Sequence, residues 1–335
     1  MQAIRIHEYG DAGVCRVETV EPPKPGPGEA LVRLEVAGLN FIDVHLRLGR
    51  YAKSETYRNA LPMTLGMEGA GIVEAIGAGA SEGVADIAVG DRVAWCVVRG
   101  SFAERAVVPT GRLVRIPDGL DLRHACALML QGLTAHYLSH AAFELQPGQT
   151  CLVHAAAGGV GGLLVQLARL RGATVIGTVG SPEKAEIARS LGADHTILYR
   201  EQDFRAEARR LTGGVGVDVV YDAIGRDTID RSIRSLRRRG LCINYGGASG
   251  LVESIVPLEL GEAGSVYFTR PHLADYIASP GELRGRAGEL FDHALAGRLK
   301  VSIDRSFALA DTAEAMRYLE DGRTRGKVLL EMPGC

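Results

Sequence analysis

The sequence predicts an α/β chain of two domains: a β-rich domain built from both chain ends, and a doubly wound parallel sheet between them. Three observations carry this. Residues 1 to about 120 hold short strands punctuated by proline and glycine turns. From Leu120 onward, apolar strands alternate with helices, the pattern of right-handed β-α-β units. At 150–170, TCLVHAAAGGVGGLLVQLARL, a strand, a turn of small residues and an apolar helix follow one another. A chain of 335 residues is long enough for two cores. The predicted division is 1–121 with 261–335, and 122–260.

Taken in order, residues 2–8 and 14–20 read as strands, and EPPKPGPG at 21–28 as a turn. At 30–37, Val32, Leu34 and Val36 alternate with Arg33 and Glu35, the period of a half-buried strand. Asn40 caps a short helix closed by Gly49. Strands follow at 68–76, after Asp91, and at 101–108. Residues 122–130 and 133–143 read as helices. Predicted strands at 150–154, 173–179, 195–199, 217–222 and 241–245 then alternate with helices, the last of these at 228–238. Ser181 caps one of these, with Pro182 at its first position. The tail has a strand-like GSVYFTR, helices at 282–296 and 310–319, and a final KVLLEM strand. It is expected to return and complete the first domain.

The bulk properties exclude several classes. A formal net charge of -2 gives no field to steer the chain to nucleic acid or membrane. No apolar run approaches 18 residues, and MQAIRIHEYG has no signal-peptide core. Cys15, Cys96, Cys126, Cys151, Cys242 and Cys335 are scattered, as reduced core thiols of a cytoplasmic protein would be.

The chemistry concentrates in the small-residue turn. Ala156, Gly158 and Gly161 hold the G-x-G-x-x-G positions of a dinucleotide fingerprint. Small residues let the turn be tight and let the backbone approach a pyrophosphate. The helix N-terminus then offers free N–H groups. The second strand ends in Gly180-Ser181, with no carboxylate at its tip to hold a ribose 2′-OH. Lys184 lies one turn on, so a small neutral residue and a cation suit a 2′-phosphate. Glu183 beside it reads as a first-turn glutamate favoured by the helix dipole. In the first domain, Asn40, Asp43 and His45 share one short helix, with Arg47 and Tyr51 following. Asp43 reads as the capping partner of Asn40. Arg47 reads as a surface arginine or as a partner of Asp43, and His45 as a polar surface residue or a pocket donor that titrates near neutrality. His154 reads as structural or near the cofactor, not as a base.

GLNFIDVHLRLGRY (38–51), PMTLGMEGAGIVEAIG (62–77), QGLTAHYL (131–138), HAAAGGVG (154–161), GTVGSPEKAEIARSLGAD (177–194), YDAIGRDT (221–228) and FTRPHL (268–273) together resemble the zinc-independent, zeta-crystallin-like quinone oxidoreductases of the medium-chain dehydrogenase/reductase superfamily. The resemblance implies a GroES-like catalytic domain, a Rossmann domain, NADPH between them and a homodimer. It implies cofactor contacts at Asn40, Thr134, Ala156, Gly158, Gly159, Val160, Gly161, Gly180, Ser181, Lys184 and Tyr199. Gly225, Gly246, Phe268 and Thr269 follow at or beyond later strand ends, and Arg323 and Arg325 in the GRTRGK turn stand as phosphate-side candidates. Asn40, His45 and Tyr51 are the catalytic candidates, although relatives often carry Tyr at position 45. Zinc alcohol dehydrogenases of the superfamily have Cys and Gly-His-Glu where this chain has Asn40 and Gly66-Met67-Glu68. Two ligands are thus replaced, and no metal is expected.

The expected activity is NADPH-dependent reduction of quinones. The alternatives are an enoyl or alkenal reductase, with Tyr51 or His45 as proton donor, and a non-catalytic NADPH-binding protein of crystallin-like or RNA-binding kind. A sheet edge near 252–260 is the expected dimer contact.

Overall fold

The computed structural model describes residues 1–57, 60–78 and 87–334, so Cys335 lies outside the described residues. The chain divides into two units, Met1–Leu130 with Tyr276–Cys335, and Gln131–Asp275.

The first unit is built of β1 (Gln2–Ile6), β2 (Arg16–Thr19), β3 (Glu29–Leu39), α1 (Phe41–Arg47), β4 (Met63–Thr64), β5 (Glu68–Ile76), β6 (Arg92–Cys96), β7 (Arg105–Pro109) and β8 (Val114–Arg115). Helix α2 (Leu122–Tyr137) leads out of it. Its alternating strand β3 pairs with both β5 and β7, so one long strand carries two neighbours. The apolar face of β3 (Val32, Leu34) meets Trp95, Phe102 and Val108 in one core, together with Val328 and Leu330 from the chain's end.

The second unit holds β9 (Thr150–Val153), α3 (Gly159–Leu170), β10 (Thr174–Val179), α4 (Pro182–Ser190), β11 (His195–Leu198), α5 (Phe204–Leu211), β12 (Val217–Asp222), α6 (Ile229–Arg234), β13 (Leu236–Asn244), α7 (Pro257–Glu262) and β14 (Tyr267–Thr269). Among the described residues these strands form one sheet in the order β11-β10-β9-β12-β13-β14. Every pairing is parallel. The order reverses beside β9, the place where such sheets open a crevice for ligand. Successive residues of β9 and β10 are buried, so both faces are covered and the two strands read as apolar runs rather than alternating ones. Leu152, Ile176, Ile197, Val220 and Cys242 form the core with Phe204 and Ile233.

After α8 (Leu273–Tyr276), the first unit resumes with α9 (Pro280–Leu295), β15 (Ile303–Ala308), α10 (Thr312–Glu320) and β16 (Lys327–Glu331). Strand β16 pairs antiparallel with β3, completing the first unit's large sheet.

The structure corrects four sequence expectations. The GSVYFTR strand does not belong to the first unit: β14 lies parallel to β13, matching Tyr267 to Leu241 and Thr269 to Ile243. The stretch 252–260 is no sheet edge. It leads into α7, whose first position is Pro257, a residue that cannot donate to a ladder. The helices predicted at 122–130 and 133–143 are continuous across Gly132: α2 runs to Tyr137 and a π-helical turn, Leu138–Ala142, follows. Finally, the helix expected at 228–238 stops at Arg234, and β13 begins at Leu236.

Candidate functional site

In the second unit, β9 delivers the chain into the turn at His154. Ala155 takes φ +52, the left-handed region that disfavours a side chain. Its carbonyl accepts the Gly158 N–H at 2.8 Å. Ala156 N–H donates to the Thr178 carbonyl at 3.1 Å, tying the turn to β10. Gly158 is the N-cap of α3 and has no side chain to cap it. The first N–H groups of α3 therefore have no capping side chain at their head. A Cβ added at Gly161 would stand 2.2 Å from the Ala155 carbonyl oxygen, and one at Gly159 would stand 2.2 Å from Gln131 Oε1. Gly158, Gly159 and Val160 are half-buried at the head of α3, between the buried Ala156 and Gly161, and a helix N-terminus is where backbone N–H groups can receive an anion. Thr134, on α2, is nearly buried.

At the tip of β10, Ser181 caps α4 by accepting the Lys184 N–H at 3.4 Å. A Cβ on Gly180 would meet the Tyr199 hydroxyl at 3.1 Å and Arg200 Nε at 3.5 Å. Gly180, Ser181, Lys184 and Tyr199 are therefore gathered at one strand end, as the sequence implies. Arg200 joins them and escapes the sequence reading. Its only signal is a position one residue past Tyr199, just beyond β11. No described carboxylate pairs with it, whereas Arg189 and Arg169 are paired with Glu186 and Asp194.

At the end of β12, Asp222 Oδ1 accepts the N–H groups of Ile224 and Gly225, both at 2.8 Å. Gly225 has φ +90, and a Cβ there would lie 2.5 Å from the Gly250 carbonyl oxygen. Gly246 passes as close to Ala223: its Cβ would meet that carbonyl oxygen at 2.4 Å. Phe268 and Thr269 lie on β14, the sheet's outer strand.

In the first unit, the catalytic candidate Asn40 belongs to a buried polar cluster with Lys327 and Glu68. Asn40 begins α1: its N–H donates to Asp43 Oδ2 at 2.9 Å, the backbone half of the expected cap. Its side chain does something else. Lys327 Nζ donates to Asn40 Oδ1 at 2.7 Å, while Asn40 Nδ2 donates to Glu68 Oε2 at 2.9 Å and to the Gly38 carbonyl at 3.2 Å. An ammonium only donates, so the amide oxygen faces Lys327 and both amide protons are committed elsewhere. Asn40 has no proton left for a substrate oxygen. Lys327 also pairs with Glu68, and both are essentially excluded from solvent. Burial pushes the Asp43 carboxyl up to about 7, against the lowering effect of the Asn40 N–H and Lys327.

Other first-unit readings change. Arg47 is no surface residue and does not pair with Asp43. It is buried and grips Glu320 through two nitrogens, at 2.8 and 3.0 Å. His45 is 7% exposed rather than on the surface. Arg50 approaches its Nδ1 at 3.1 Å, and because arginine only donates, Nδ1 is the acceptor and the ring proton sits on Nε2. Tyr51 packs edge-on against His45, ring centres 5.9 Å apart. Arg323 pairs with Asp321 at 2.9 Å and lies over the Tyr318 ring, while Arg325 is exposed. The buried basic residue of the GRTRGK turn is Lys327, which the sequence reading passed over.

The donor set at Asn40, Met67 and Glu68 does not fit a zinc ion. It offers a committed amide, a buried thioether and a carboxylate already neutralised by an ammonium, where such a centre needs three Cys, His or carboxylate ligands.

Residues 26–118 match the family described as alcohol dehydrogenase GroES-like domain, and residues 159–270 that described as zinc-binding dehydrogenase. The chain is 42% identical to the quinone oxidoreductase of Pseudomonas aeruginosa, over 98% of each. It is 41% identical to a 2-haloacrylate reductase of a Burkholderia species, again over 98% of each. The quinone oxidoreductase of Escherichia coli, solved complexed with NADPH, superposes with a TM-score of 0.94 at 37% identity, covering 99% of this chain and 100% of that one. The chain belongs to the quinone oxidoreductase family of the medium-chain dehydrogenase/reductase superfamily.

Proposed function

We propose that this protein is an NADPH-dependent, zinc-independent reductase of quinones, acting in the cytoplasm. The observation that carries the cofactor is the tip of β10: no carboxylate, a serine cap, and Lys184, Tyr199 and Arg200 at hand. A 2′-phosphate brings charge and acceptor oxygens that this group satisfies. Bound NADPH supplies a hydride from C4 of its nicotinamide.

The chain's own residues do the rest. The turn at 156–161 receives the pyrophosphate on backbone N–H groups. Asn40, held by Lys327 and Glu68, is not a proton donor. His45, with its ring proton on Nε2, and the Tyr51 hydroxyl are the candidates to hold or deliver a proton. Lys327 already supplies a buried positive charge, and the donor set supports a reaction without metal.

The likeness to a 2-haloacrylate reductase favours a second reading, reduction of an activated carbon–carbon double bond. Both readings are separated by following NADPH oxidation at 340 nm with 1,4-benzoquinone and with 2-chloroacrylate, using chelator-treated protein. Turnover with the quinone supports the first reading, and turnover with the acrylate alone replaces it with the second. A homodimer is proposed through β14, whose outer edge has no partner strand among the described residues. Tyr267 on it and Leu258 nearby in sequence are exposed. A monomer by light scattering overturns that.

A further inference from the structure

One buried chain of side chains joins the ends of β9, β10 and β12. His154, Thr178, Asp222 and Ser232 are each 1% exposed or less. Ser232 Oγ donates to Asp222 Oδ2 at 2.7 Å. A hydroxyl has a single proton, so the contact of 2.9 Å between His154 Nε2 and Ser232 Oγ requires the histidine to donate. With its proton on Nε2, a neutral imidazole accepts at Nδ1, where the Thr178 hydroxyl stands at 2.8 Å. Burial lowers the His154 pKa and keeps the ring neutral, with Asp222 opposing this and Arg231 reinforcing it. Every donor thus points one way: Thr178 to His154, His154 to Ser232, Ser232 to Asp222.

Histidine, serine and aspartate together suggest a hydrolytic triad, but the order is wrong for one. The serine proton goes to the carboxylate, and the histidine nitrogen facing the serine already carries a proton. No unprotonated imidazole nitrogen faces the serine to act as its general base.

The chain instead ends at the loops that border the ligand crevice. Asp222 holds the Ile224 and Gly225 N–H groups and accepts from Thr228 Oγ1 at 2.8 Å. Thr178 holds the Ala156 N–H through its carbonyl. His154 precedes Ala155, whose φ of +52 lies in the left-handed region and persists only where its neighbours over-determine it. We propose that Thr178–His154–Ser232–Asp222 is a positioning chain: it locks the fingerprint turn to the Gly225 loop, and so sets dinucleotide affinity through backbone it holds. His154 and Ser232 are positioning residues, not acid–base groups. This rests on the reading that the crevice takes NADPH.

The test has a part that needs no cofactor. Nitrogen-15 spectra of the wild-type protein report which His154 nitrogen carries the proton: Nε2 is expected, and a proton on Nδ1 overturns the donor order. Hydrogen exchange at the amides of Ala156 and Gly225 is expected to quicken together in Ser232→Ala and His154→Leu. Exchange unchanged at both sites overturns the coupling.

With cofactor, both variants are expected to raise the Kd and KM for NADPH by about 10-fold, the effect of one broken buried hydrogen bond, with kcat within about twofold. His154→Gln keeps an acceptor and a donor on one planar group and is expected to stay within about threefold of wild type. A fall in kcat at unchanged KM in His154→Gln would make His154 an acid–base group and defeat the proposal. Absence of NADPH binding by the wild-type protein refutes the proposed function instead, and the spectra and exchange rates still decide the chain.

Discussion

Gly161 gives the sharpest prediction. Replacing it with alanine puts a Cβ 2.2 Å from the Ala155 carbonyl oxygen, where ordinary contact begins near 3.4 Å. The turn and helix α3 must therefore separate by about 1 Å, the difference between those distances. The carbonyl cannot move freely, because it accepts the Gly158 N–H at 2.8 Å and Ala155 already sits at φ +52. Overpacking of this kind costs about 1–3 kcal/mol. Expressed wholly in binding, that is about a 5- to 150-fold rise in the Kd for NADPH. Gly158→Ala is the partner experiment. Its Cβ would meet the same oxygen at 3.1 Å, which a shift of a few tenths of an ångström relieves. It should therefore leave the melting temperature nearly unchanged. It should still weaken NADPH, because the new methyl covers backbone that a pyrophosphate approaches. Nucleotide fluorescence titration and thermal melts read both quantities. Gly161→Ala with unchanged Kd and unchanged melting temperature refutes the argument. Gly158→Ala with unchanged Kd refutes the placement of the pyrophosphate.

Further outcomes follow from other sites. Lys327→Met leaves Glu68 as a lone buried charge and should lower stability by about 3–5 kcal/mol in urea titrations, with Lys327→Met/Glu68→Gln recovering much of it; a single-variant loss under about 1 kcal/mol contradicts the buried pair. Lys184→Ala and Tyr199→Phe should raise the KM for NADPH and leave that for NADH nearly untouched, in steady-state assays with quinone. The Asp43 pKa is raised above its unfolded value, so its contribution to stability is present at low pH and is lost as pH rises from about 4 through 7; Asp43→Asn should remove that decline. His154 acts the other way. Its pKa is depressed, so the unfolded chain binds a proton that the native state refuses, and stability falls as pH drops below about 6.5. His154→Gln should flatten that fall in urea midpoints taken between pH 5 and 7.

What the sequence shows depends on how far apart the cooperating residues lie. The strand, turn and helix at 150–170 are local, and the glycines declare where backbone must come close. The serine cap of α4 is equally local. Strand β14 is harder: its three residues owe their place to pairing with β13 across an intervening loop and helix, which no short window reveals. The polar cluster is harder still. Lys327 and Glu68 stand 259 positions apart, so the lysine reads as one more cation in a basic turn. Asn40 was found for a reason that proved partial. Its backbone does cap α1, but its side chain serves Lys327 and Glu68. Arg47 looked solvated because its partner, Glu320, belongs to a helix near the other end of the chain. The Thr178–His154–Ser232–Asp222 chain spans three strands and a helix, and only the fold supplies that arrangement.

Strand β16 closes the first unit's large sheet against β3 and also delivers Lys327. This sets an order on synthesis. A ribosome that has released 300 residues has already emitted the whole of Gln131–Asp275, a continuous stretch with its own core. The earlier unit at that moment has residues 36–39 of β3 without β16 beside them and a Glu68 without the Lys327 ammonium. The segment that carries Glu68 must wait for one made 259 positions later, while the middle is free to fold on arrival.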